Sequence, residues 1–116
     1  MRIDVSGGPV TATLDNNDSS IDFVKQLPMK LTLDDYASTE KISVLPKPLS
    51  TQGAPAGFTP SVGVIAFYAP WGNLAIFFHK GFKYSSGLIK LGKIDSGLEV
   101  LARPGSLEVT ITLVDE

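Results

Sequence analysis

Six side chains of this 116-residue chain together offer apolar area and hydrogen-bonding groups in a way that suits binding: Phe58, Tyr68, Trp71, Asn73, Tyr84 and Ser86. Trp71 is the only tryptophan and lies in Ala69-Pro70-Trp71-Gly72-Asn73, between the apolar runs 62–68 and 74–78. A site for small organic groups or peptides needs apolar walls with a few polar anchors. Tyrosine and tryptophan supply both, and the Asn73 amide carries a donor and an acceptor. The same residues also have an architectural reading. In it, Pro70 and Gly72 shape a turn, Trp71 covers the end of a barrel and Asn73 bonds nearby backbone.

Other chemistries fail at named positions. Gly87-Leu88-Ile89-Lys90-Leu91-Gly92-Lys93 matches a phosphate-binding loop until Ile94, where a serine or threonine is needed, and the segment reads as a strand. Lys80-Gly81-Phe82-Lys83-Tyr84 echoes a base-stacking motif, but Lys83 stands where glycine or alanine belongs. A hairpin loop with solvated lysines and a buried Phe82 explains it better. Asp15-x-Asn17-x-Ser19 lacks the glycine and closing glutamate of a calcium loop, positions held by Ser20 and Gln26.

His79 is the only histidine and there is no cysteine, so a zinc set cannot be assembled. Ser85 or Ser86 with His79 and Asp95 makes a triad only on paper, because no nucleophile elbow surrounds either serine. Asp34 and Asp35 fall on opposite faces of a strand. No catalytic residue, metal or cofactor follows from these patterns, and the balance leans against an enzyme.

The formal net charge of −2, without a long basic run, offers nothing to nucleic acid or an anionic membrane. A hydrophobic fraction of 43% and a charged fraction of 19% fit one globular domain over residues 1–116. Without an apolar signal segment or a run of membrane-spanning length, a cytoplasmic protein is expected. Oligomeric state has no signature here.

The elements that must position these residues are mostly strands. Alternation of Ile3 and Val5, then Val10, Ala12 and Leu14, around Ser6-Gly7-Gly8-Pro9 predicts a hairpin over 2–14. Residues 15–20 form a turn with capping side chains. Ile21, Val24 and Leu27 then follow helical spacing until Pro28. Met29, Leu31 and Leu33 alternate, 40–45 reads as a strand, and 49–61 lacks periodicity, as site-lining loops often do. Two strands flank the Trp71 turn, another covers 88–94, and Ser96-x-x-Glu99 reads as a capping box opening a helix through Ala102. Leu107, Val109, Ile111 and Leu113 alternate in a last strand. Many short strands with two short helices predict a mainly β, closed barrel whose helices cap its ends.

The helix after the hairpin, the Gly53-Ala54-Pro55-Ala56-Gly57 loop, the run Ala69-Pro70-Trp71-Gly72-Asn73-Leu74-Ala75-Ile76-Phe77-Phe78, Tyr84-Ser85-Ser86-Gly87-Leu88-Ile89 and Leu91-Gly92-Lys93-Ile94-Asp95-Ser96-Gly97 together resemble a bacterial and archaeal family of small cyclophilin-like proteins. The resemblance spans nearly the whole chain. It implies a cyclophilin-like β-barrel from a largely uncharacterised family, some of whose related domains are joined to flavodoxin-like domains. True prolyl isomerases carry an arginine in Phe-His-Arg; the local string here is Phe78-His79-Lys80, and neither Arg2 nor Arg103 sits in a matching motif. The expectation is a non-enzymatic barrel binding a small molecule or peptide at a mouth formed by 53–58, 68–73 and 84–86. A weak prolyl isomerase and an interaction module partnering an enzyme such as a flavoprotein are the alternatives.

Overall fold

The computed structural model describes residues 1–6, 8–80 and 82–113. The N-terminal alternation forms the expected hairpin of β1 (Arg2–Val5) and β2 (Gly8–Leu14), with buried Ile3 opposite buried Val10. Gly7 of the expected turn lies outside the described residues. The chain continues through α1 (Asp18–Lys25), β3 (Met29–Tyr36), β4 (Glu40–Val44), the short β5 (Gly57–Phe58), β6 (Val64–Tyr68) and β7 (Asn73–Phe77). Then come the short β8 (Ser85–Ser86), β9 (Leu88–Ser96), α2 (Leu98–Leu101) and β10 (Leu107–Thr112).

Eight strands close into a barrel in the order β1-β10-β3-β4-β7-β6-β9-β2, all neighbours antiparallel. Closure pairs every strand on both sides, so none of these eight presents an open edge. The interior is packed with Ile3, Val10, Leu33, Ile65, Phe67, Leu74, Ile76, Leu91, Val109 and Ile111. Among the described residues, no helix is long and apolar enough to cross a membrane.

The helices cap opposite ends, because α1 follows β2 and α2 follows β9, and β2 and β9 run antiparallel. Asn17 caps α1, its side chain accepting from the Ser20 amide at 2.8 Å. The face that α1 buries differs from the expected one. Ser19, Ser20 and Phe23 are buried, whereas Ile21 is exposed. The serines fix this rotation: Ser19 Oγ donates to the Ser50 carbonyl at 2.5 Å and Ser20 Oγ to the Leu91 carbonyl at 2.8 Å. Two satisfied hydroxyls and a buried phenyl outweigh the period of the aliphatic side chains.

The capping box expected at Ser96 does not form. Ser96 remains in β9, where its hydroxyl bonds Thr11 at 2.6 Å. The N-cap of α2 is Gly97 with φ 89°, and it makes no side-chain cap bond. Here only glycine is unstrained, and a β-carbon would also stand 2.9 Å from the Pro9 carbonyl oxygen.

Inside the barrel at the α2 end lies a charge that periodicity did not reveal. Lys41 faces inward opposite Ile76 and is wholly buried. Its ammonium donates to Asp35 Oδ1 and to the carbonyls of Arg103 and Gly105, each at 2.6 Å. All three of its protons therefore have acceptors, which offsets the cost of removing the charge from water. The second Asp35 oxygen accepts the Gly105 amide at 2.6 Å. Lys41 thus ties β3, β4 and the loop entering β10 into one closed end.

Removing the ammonium leaves a carboxylate and two carbonyls facing each other. Lys41→Met should therefore destabilise the fold by about 3 kcal/mol in urea unfolding; a loss under about 1 kcal/mol would deny it this role. The Lys41 hydrogen bond, then the Gly105 amide, hold the Asp35 carboxyl below its ordinary range. A depressed folded value stabilises above the unfolded value and is lost as pH falls through the folded one. Wild type should therefore lose stability below about pH 4 more steeply than Asp35→Asn, as read from melting temperature against pH.

Candidate functional site

The runs flanking Trp71 are apolar at almost every position because β6 and β7 are buried on both faces. Ile65, Phe67, Leu74 and Ile76 point into the barrel, while Val64, Ala66, Ala75, Phe77 and Leu88 form a second cluster on the outer wall. Phe58 and Phe82 pack on that second cluster from the connections before β6 and after β7. The two connections are stitched together by the antiparallel pair β5–β8. Gly57 permits this, since a β-carbon there would lie 2.2 Å from the Ser85 carbonyl oxygen. Phe82 meets Phe77 edge to face at 4.7 Å.

The cover is incomplete. Beside it a cavity of about 330 Å³ remains on the outer wall, lined by Tyr36, Glu40, Pro60, Tyr68, Trp71, Asn73, Phe77, Phe82, Lys83, Tyr84, Ser85 and Leu88. Strand register places the wall residues: Tyr36 opposite Glu40, Glu40 opposite Phe77, and Asn73 opposite Tyr68, which itself faces Leu88. Trp71 closes one side. Its ring meets Tyr68 at 5.3 Å and 82° and Tyr36 at 5.7 Å and 75°. Such edge-to-face pairs are each worth about 1 kcal/mol beyond area burial.

Two polar groups stand out in this lining. Asn73 is 3% exposed; its amide nitrogen donates to the Leu74 carbonyl at 3.2 Å, while its Oδ1 is buried without a hydrogen-bond partner. Glu40 is half-buried among the aromatics, and desolvation pushes its carboxyl above the ordinary range. The turn between Tyr36 and Glu40 holds Ala37 and Ser38 at φ 53° and 56°, a left-handed conformation that costs non-glycine residues about 1 kcal/mol or more each. That strained turn fixes the spacing of the two lining residues that flank it.

Four of the six residues expected at a site, Tyr68, Trp71, Asn73 and Tyr84, line this cavity. Phe58 belongs to the buried outer cluster and lines a separate cavity of about 260 Å³ beside α1 and β9. Ser86 lines neither; it pairs with Gly57 through the backbone, and its neighbour Ser85 is the lining residue. The expected grouping at a barrel mouth therefore divides. Trp71 is 55% exposed and leans on the outer wall, while the interior ends are filled by Phe23 from α1 and by Lys41 beneath the loop after α2. In the smaller cavity the side chains of Asn17 and Ser19 are already engaged, Asn17 with Ser20 and Lys90, and Ser19 with Ser50.

Tyr36, Glu40, Pro60, Phe77, Phe82, Lys83 and Leu88 also line the cavity, and residue pattern does not mark them because strand register and a folded-back connection bring them there. The discarded chemistries are accounted for locally. His79 Nδ1 lies 2.9 Å from the Lys80 carbonyl oxygen and Asp95 accepts from Thr13 at 2.6 Å, so no triad assembles. Residues 88–94 are strand throughout, which excludes the phosphate-loop conformation. Gly81 of the base-stacking echo lies outside the described residues. Among the described residues there is no group of three or more metal-ligating side chains. Arg2 pairs with Asp4 on the first strand, and Arg103 bonds the carbonyls of Val100 and Ser6, so neither arginine reaches the cavity.

A closed eight-stranded antiparallel barrel with helix-capped ends and a partly covered outer wall defines a small cyclophilin-like barrel protein. The model of the cyclophilin-like family matches residues 3–112, and the chain belongs to that family. The hypothetical protein AF2241 from Archaeoglobus fulgidus, known from its solution structure, is similar in fold with a TM-score of 0.67 and 16% identity over 96% of this chain and 91% of that one. A search of curated proteins finds no match.

An unpaired buried carbonyl is a cost that folding alone does not explain. Asn73→Leu should leave stability unchanged or raise it by about 1 kcal/mol in urea unfolding. A loss above about 2 kcal/mol would instead assign Asn73 a structural role.

Proposed function

We propose that the outer-wall cavity is a binding site for a small molecule or a peptide side chain. The observation that carries this reading is the pairing of exposed aromatic rings with the orphaned Asn73 oxygen in one concavity. Trp71, Tyr84 and Tyr36 stay 55%, 59% and 44% exposed, although each could bury about 2 kcal/mol of apolar area if covered. Concave, mostly apolar surfaces with few polar groups are the usual form of ligand sites, and a volume of about 330 Å³ suits a group of several heavy atoms.

The role is binding rather than bond-making. Glu40 has no second titrating side chain within the cavity beyond the exposed Lys83 and the tyrosines, and no nucleophile–base pair lines it. The prolyl-isomerase reading lacks an arginine at the cavity, so it gains no support from this geometry. An interaction module is compatible with the same surface if the partner inserts one side chain.

Trp71 reports on its own site. Binding should shift its emission, and Trp71→Ala should weaken affinity about tenfold or more by calorimetry, in a variant that stays folded but melts several degrees lower for want of its two ring pairs. A broad panel of amines, acids, nucleosides and prolyl peptides that moves neither emission nor melting temperature would sink the reading.

A further inference from the structure

We propose that the group received by the outer-wall cavity is an organic cation: an alkylammonium, carried either by a small molecule or by a lysine side chain of a peptide. This rests on the cavity being a binding site and specifies what it selects.

The argument is one of sign. Two polar groups of the lining are electron-rich and unpartnered, and three aromatic rings accompany them. The Glu40 carboxylate has no hydrogen-bond or ion-pair partner among the described residues. The Asn73 Oδ1 accepts from no donor. Trp71 meets Tyr36 at 75° and Tyr68 at 82°, so the three rings do not stack flat, and all three line the cavity. Aromatic faces carry negative quadrupole density, and a cation held among such rings is attracted to several of them at once. The only ammonium in the lining is Lys83, which is exposed and keeps its hydration.

The alternatives meet a penalty. An anion would stand against Glu40. A neutral apolar group would remove more water from a carboxylate that burial already pushes toward its protonated form. A cation offsets the desolvation of the carboxylate and at the same time lays its alkyl groups on the rings. The contrast with Lys41, the next residue on β4, is direct: that charge points inward and has all its partners, whereas Glu40 points outward and has none.

The test titrates the full chain with choline and with 3,3-dimethylbutan-1-ol, its neutral carbon isostere, read by Trp71 emission and calorimetry. Choline should bind about tenfold tighter than the isostere, and Glu40→Gln should erase most of that difference without lowering the melting temperature. The isostere binding equally or more tightly overturns the cation inference while leaving the cavity's binding role standing. No response to either also overturns it. In that case a response to another ligand of the broad panel preserves the binding role, and silence throughout removes both. A trimethyllysine peptide that binds more tightly than choline assigns the cation to a polypeptide. Equal or weaker binding assigns it to a small molecule.

Discussion

The wall made by β6 and β7 is apolar on both faces, and a sheet apolar on both faces must be covered twice. The barrel interior provides one cover through Ile65, Phe67, Leu74 and Ile76. The other has to be recruited from connections, which explains why the segments around Phe58 and Phe82 fold back over the outside and are pinned by the two-residue pair β5–β8. Where that cover stops short, the wall residues Asn73, Phe77, Tyr68 and Leu88 become the floor of a cavity. The candidate site is thus the unfinished part of a second hydrophobic core, and its position follows from the demand for two-sided burial.

Adjacent residues of β4 show how the two faces differ. Lys41 enters the interior and survives there because Asp35 and two loop carbonyls surround its ammonium. The same contacts close the barrel end, so charge satisfaction and end closure are one arrangement. Glu40 turns outward into an aromatic setting that desolvates it and supplies no partner. A folded protein can keep a fully bonded internal charge at small net cost; an unbonded half-buried one is costly and commonly belongs to a site.

Much of the barrel could be read from residue pattern. Alternation located the first hairpin, β3 and β10, and the turn residues Pro70 and Gly72 located the β6–β7 connection. Pattern failed where side-chain hydrogen bonds overrode it. Ser19 and Ser20 rotate α1 away from the face that Ile21 and Val24 suggest. Ser96 spends its hydroxyl on Thr11 across the sheet, so it is unavailable as a cap. Both are long-range bonds from residues whose local chemistry admits more than one partner. Of the residues that line the cavity, Tyr68, Trp71, Asn73 and Tyr84 stand out in the residue pattern, whereas Tyr36, Glu40, Phe77 and Phe82 do not. Those four are brought in by strand register and by a loop folding back, neither of which leaves a mark within a local window.

Residue order alone determined the mainly β character, the positions of the eight barrel strands, the family, and the named positions where the phosphate-loop, base-stacking and calcium-loop patterns break. These rest on steric and hydrogen-bonding rules that act between near neighbours. Tertiary structure decided which face each ambiguous side chain takes, that Trp71 packs on Tyr36 and Tyr68, and that Phe58 and Ser86 do not line the cavity beside it. It also decided that an inward lysine would be sealed while the glutamate beside it was left open. Such outcomes depend on what approaches from 30 or more residues away, as Arg103 and Gly105 approach Lys41. The physical reason is that burial and charge pairing are properties of an assembled neighbourhood, and a chain acquires its neighbourhood only by closing the barrel.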